Sequence, residues 1–171
     1  MGSEAKSRDL VARTVPCRWV SDYLDRFHQG LTIVTTALTW AERLAASNDI
    51  DIRPVPEGRR GMTPGKLMLY PSAWMVNDAI RAIPEGDSVT PKELRARLAR
   101  QYDVTYTCPV TTTMMLRVVA EAANEARANG APLAEVTPVW RVLNRSASAL
   151  RQLTFEPGWV ADAREREGLP T

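Results

Sequence analysis

The chain has 171 residues, of which 44% are hydrophobic and 25% charged, with a net charge of +2. This is ordinary globular composition, long enough for one domain with a real core plus an extension, and it argues against a disordered chain. The apolar run 31–38 is too short to span a bilayer, and residues 1–10 lack the charged-then-apolar order of a signal peptide, so a cytoplasmic protein with no membrane contact is expected.

Taken in order, residues 1–13 read as a polar tail, and Trp19, Tyr23, Leu24 and Phe27 stand at helical spacing before Gly30. With that helix, residues 1–37 form a tail and helical extension that can act as a brace or as a protein-contact arm over 14–37. Thr39 followed by Glu42 is a capping-box pattern opening a short helix. Residues 49–66 carry prolines, glycines and Arg53, Arg59, Arg60 and Lys66, which predicts an irregular linker. The segment 38–66 is therefore assigned to a short helix and a linker, and 67–171 to the main domain. In that domain, 66–71 reads as a brief extended piece. Ser72 opens a helix carrying Trp74, Met75, Ala79, Ile80 and Ile83. Thr90 with Pro91 opens a second helix over 91–101, with Leu94 and Leu98 inward and Lys92, Arg95, Arg97 and Arg100 outward.

The longest signal follows. Cys108 and Pro109 open a helix whose apolar stripe runs Val110, Met114, Val118, Ala122 and Met115, Val119, Ala126. Thr113, Arg117, Glu121 and Asn124 define its polar face. Asn129 and Gly130 suit a left-handed C-cap, and Pro132 blocks continuation. The run 136–143, β-branched and aromatic, reads as a short buried strand. The expected core comprises Val110, Met114, Val118, Ala122, Leu94, Leu98, Ile80, Ile83, Val142 and Trp140. The fold class is mainly α, with short β elements.

Charge is unevenly spread. Residues 1–87 balance at eleven basic and eleven acidic, 88–151 hold nine basic against five acidic, and 152–171 hold two against four. The +4 on the middle segment fits phosphate contacts, although a surface with extra arginine is the plainer explanation of charge alone. Two cysteines, Cys17 and Cys108, make no disulfide framework. With one histidine, His28, a zinc site would need both cysteines, that histidine and a carboxylate. No cofactor or metal is expected.

Four pieces in order carry a resemblance: residues 79–99 as a helix–turn–helix lead-in, Cys108-Pro109-Val110-Thr111-Thr112 opening the long helix, Thr137-Pro138-Val139-Trp140-Arg141-Val142 after it, and a closing helix in 156–169. Together, from about Leu38 to Leu169, they resemble the methylated-DNA–protein-cysteine methyltransferase-like proteins, in the branch that lacks the alkyl-accepting cysteine. The resemblance implies a winged helix–turn–helix-like domain in which the helix at 109–128 follows the one at 91–101, and a non-catalytic protein that binds nucleic acid, including damaged DNA. The family's reaction uses a cysteine thiolate in a Pro-Cys-His-Arg motif. The matching positions here are Pro138, Val139, Trp140 and Arg141. Valine cannot accept an alkyl group and tryptophan cannot act as a base, so alkyl transfer is not expected. Arg141 keeps a structural role in tying the strand to helix ends. The pocket tyrosine and glycine-rich loop of the family are also missing, which weakens binding of a flipped base.

Arg95, Arg97, Arg100, Arg117 and Arg145 are the candidate nucleic-acid contacts, with DNA as the expected partner. Cys108, Trp140 and Arg141 are the candidate pocket residues. A thiol at a helix N-terminus has a lowered pKa and is a candidate nucleophile, weighed against an inert cysteine filling space at the start of a core helix. Two alternatives stand beside nucleic-acid binding: an enzyme reusing the fold on a small molecule at Cys108 or a Trp140-lined pocket, and a protein–protein adaptor.

Overall fold

The structure is a computed structural model that describes residues 38–46, 49–144 and 148–170. The extension over 14–37, Cys17, His28 and Arg145 lie outside the described residues. Five helices are present among the described residues: α1 (Trp40–Ala45), α2 (Ala73–Arg81), α3 (Pro91–Gln101), α4 (Pro109–Ala128) and α5 (Gly158–Arg166). Three short strands, β1 (Asp51–Pro54), β2 (Leu67–Tyr70) and β3 (Tyr106–Thr107), form one sheet in the order β1-β2-β3. The domain is mainly helical.

The starts of the first three helices are dictated by side chains. Thr39 and Thr90 form complete capping boxes with Glu42 and Glu93, and the Ser72 hydroxyl accepts from the Met75 amide. Each arrangement satisfies amides that a helix start leaves unpaired. α3 has the bounds the sequence predicts, and its Leu94 and Leu98 are fully buried.

β1 corrects the expectation of a linker over 49–66. Asp51–Pro54 pairs antiparallel with Leu67–Tyr70, in the register Ile52 to Leu69. The Val55 amide donates to the Lys66 carbonyl at 2.8 Å, and Gly65 donates back to Val55 at 3.0 Å. Gly65 holds φ +79°, which favours glycine, so the ring of prolines and glycines is the loop of a hairpin. As an edge strand β1 accommodates Pro54 at its end. β3 pairs parallel to β2, with Met68 opposite Tyr106 and Leu69 opposite Thr107. That pairing places the start of α4 against the sheet, where the Cys108 amide donates to the Leu69 carbonyl at 2.8 Å.

α4 is the central element. α1, α2, α3 and the 3₁₀ turn at 148–152 all pack against it. Its buried face is Thr111, Thr112, Met115, Leu116, Val119, Ala120, Glu121, Ala122 and Ala123, which is rotated from the expected stripe. Val110 is 47% exposed, and Met114 and Val118 are half-buried, contrary to their place in the expected core. Val110 sits on the first turn of α4, on its open side with Thr113 and Met114, while Thr112 can bury because its hydroxyl donates to the Cys108 carbonyl at 2.7 Å. The rest of the expected core, Ile80, Ile83, Leu94, Leu98, Ala122, Trp140 and Val142, is buried.

The expected strand over 136–143 is instead a 3₁₀ turn at Val139–Arg141. Its amides bond locally, Val139 to the Thr137 carbonyl and Arg141 to that of Pro138. Pro138 has no N–H to give to a ladder, so the apolar residues are buried by packing from α5 rather than by strand pairing.

Candidate functional site

Residues 138–141 occupy a closed region. Val139 is 0% exposed and Trp140 is buried. The Trp140 ring meets Trp159 edge-on, with centroids 6.2 Å apart and planes at 76°. Its carbonyl accepts from Arg164 Nη1, and Arg164 also donates to the Pro170 carbonyl through Nε and Nη2. Burial pushes the Arg164 pKa down. The Trp140 indole N–H, though close to Glu167, completes no hydrogen bond.

Arg141 is the hub of this region. Nε and Nη2 donate to the two Glu167 carboxylate oxygens at 2.9 and 2.8 Å, and Nη1 donates to the Ile83 carbonyl at 2.7 Å. Its own carbonyl accepts from the Val89 amide at 2.9 Å. The bidentate fork therefore ties the 139–141 turn to the ends of α2 and α5, the structural role expected of it, made from a turn instead of a strand. The Arg141 hydrogen bonds hold the Glu167 carboxyl below the usual carboxylate range, against the opposing effect of burial.

Cys108 is 0% exposed, and its side chain makes no cap hydrogen bond at the start of α4. Its sulfur instead accepts from Arg59 Nη1 at 3.7 Å. Cys108, Trp140 and Arg141 line neither the groove between α3 and the hairpin loop nor the one beside Val110 and Met114. No group of three metal-ligating side chains occurs among the described residues.

Arg117 and Glu121, both placed on the outward polar face by periodicity, are engaged internally. The Glu121 carboxylate is buried, accepting from the Thr154 amide and hydroxyl at 2.6 Å each, with Arg117 Nε 3.9 Å away. The Arg117 guanidinium stands 5.8 Å from the Trp40 ring, which Arg43 faces at 4.8 Å. α1 completes this cover through the Ala41 amide, which donates to Glu125 at 2.9 Å.

α3 is different. Lys92 and Arg100 are exposed, and Arg95 and Arg97 are half-exposed. Its one acid, Glu93, is turned back into the capping box, where its carboxylate accepts from the Thr90 amide at 2.6 Å. That bond holds the Glu93 pKa below the usual carboxylate range, helped by Arg97 and Lys92. Among the described residues the guanidinium groups of Arg95, Arg97 and Arg100 form no ion pair.

Comparison with known protein families, curated proteins and solved structures finds no match. The sequence reading missed Tyr106 as a surface feature. Its hydroxyl accepts from the Thr63 amide at 3.2 Å and lies 3.3 Å from the Thr63 hydroxyl. The parallel pairing of β3 with β2, which brings residues 63 and 106 together, leaves no periodic trace in a two-residue strand. No helix among the described residues is long and apolar enough to cross a membrane.

Proposed function

We propose that this chain is a non-catalytic nucleic-acid-binding protein of the alkyltransferase-like kind, with DNA as its partner. The observation that carries the reading is the outward face of α3, where Lys92, Arg95, Arg97 and Arg100 form no ion pair among the described residues and outnumber Glu93, the one acid of the helix. An excess of cations over local carboxylates is what phosphate contacts require, and each cation releases counterions when it meets a phosphate. α3, the connection through β3 and α4 follow one another in helix–turn–helix order. Because α4 is packed on several sides, this reading assigns the principal phosphate contacts to α3 and not to Arg117. A buried valine at the acceptor position and a buried tryptophan beside it supply neither nucleophile nor base, which supports binding without alkyl transfer.

The test is a titration of a dye-labelled DNA carrying both a duplex and a single-stranded overhang, at low and high salt. The expected result is affinity that falls steeply with salt, and a shallower slope for Arg97→Ala/Arg100→Ala by roughly one unit per lost contact. Equal affinity at both salt concentrations, or an unchanged double variant, contradicts the proposal.

A further inference from the structure

One side of α3 is lined by residues with no side chain beyond Cβ, Ala96 and Ala99. Opposite them runs the hairpin loop, and between the two lie β3 and the start of α4. The result is an open groove of about 210 Å³ whose lining includes Met62, Arg95, Ala96, Ala99, Tyr106 and Pro109. No carboxylate lines it among the described residues. Arg95 stands in its wall, and Lys66 is near enough to the Tyr106 phenol to help lower its pKa, after the larger effect of the Thr63 hydrogen bonds.

Tyr106 is held at both ends. Its backbone belongs to the sheet, and its hydroxyl is fixed by Thr63. The ring is thus immobilised before any ligand arrives, half-exposed at the groove wall. An ordered aromatic ring beside small side chains, with cations at the rim and no acid, is the combination that binds unpaired nucleotides: bases stack on the ring and phosphates meet the cations. A duplex cannot use such a ring, because its bases are already stacked on one another. We propose that the groove between α3 and the hairpin loop binds single-stranded nucleic acid, with an unpaired base against Tyr106 and the adjoining phosphates on Arg95 and Lys66. This rests on the nucleic-acid reading above and narrows it to single strands.

The test is fluorescence anisotropy of the full chain with a dye-labelled oligothymidylate and with a fully paired hairpin of equal nucleotide count, at one salt concentration. The single strand should bind at least about tenfold more tightly, and Tyr106→Ala should weaken it by roughly 5- to 100-fold, the range for one base–aromatic stack. Tyr106→Phe, which keeps the ring, should stay within about threefold of the native chain. Ala96→Glu places a carboxylate in the groove at an exposed position of a helix that tolerates glutamate well, and should also weaken single-strand binding at least tenfold. It keeps the proposal testable if Tyr106→Ala fails to fold. Equal or tighter binding of the paired hairpin overturns the inference, as does unchanged single-strand binding by Ala96→Glu. If those results appear while Arg97→Ala/Arg100→Ala still loses affinity, the groove is wrong and the broader reading survives. If neither probe binds the native chain, both are wrong.

Discussion

The 139–141 turn and helix α3 handle charge in opposite ways. At the turn, Arg141 is matched by both oxygens of Glu167 and by the Ile83 carbonyl, and Arg164 is matched by the carbonyls of Trp140 and Pro170. Along α3, the lone carboxylate is withdrawn into the helix cap and the arginines are left facing outward. The first arrangement fixes a structure, since a cation whose donors are already used cannot also recruit a ligand. The second is suited to a polyanion, since among the described residues the outward cations of α3 form no ion pair. The 139–141 turn is thus closed by its own protein partners, and the outward charge of α3 lies elsewhere.

The largest effect should come from opening the closed region. Arg141→Ala strands a half-buried carboxylate and the Ile83 carbonyl, at a cost of about 1–3 kcal/mol, the range for polar groups left without their partner. Denaturant unfolding measures it. Nucleic-acid affinity per folded molecule should be unchanged, and a large loss of affinity by the folded fraction would break the separation of the two regions.

Acid should act on the same region. The Glu167 carboxyl is held below its unfolded value by Arg141, so the stability it contributes is fully present above the unfolded pKa of about 4.3 and is lost as pH falls through the lower folded value. Stability measured against pH should therefore decline on acidification below about pH 4.5, and Glu167→Gln should flatten that decline. A Glu167→Gln profile identical in shape to the native one would remove Glu167 from the account.

The smallest effect concerns Cys108. As packing at the junction of sheet and helix, Cys108→Ala should cost only about 1 kcal/mol and leave binding intact. Intact-mass spectrometry after incubation with methylguanine-containing DNA should show no gain. A one-methyl gain that disappears in Cys108→Ala would turn the cysteine from packing into a nucleophile.

Much of this was legible in the residues because it is local. Thr39 with Glu42, Ser72, and Thr90 with Pro91 each announce a helix start within four positions, and each start is where those residues put it. The outward arginines of α3 follow from the burial of Leu94 and Leu98. What escaped is long-range. Glu121 reads as polar surface because its partner Thr154 is far along the chain, and only that pairing makes its burial tolerable. Residues 136–143 read as a strand because β-branched residues are common to strands and to any dry interior, and the deciding fact, packing by α5, is tertiary. The Tyr106 groove depends on a parallel pairing between strands separated by two helices.

Hydrogen–deuterium exchange with and without a DNA bearing a single-stranded overhang sets the two regions side by side in one experiment. Protection should appear in 59–66 and 91–107, on the hairpin loop, α3 and β3, with none added at 138–142. New protection confined to 138–142, with α3 unchanged, would contradict the central claim that this chain meets nucleic acid through the outward cations of α3 and not through the 138–142 turn.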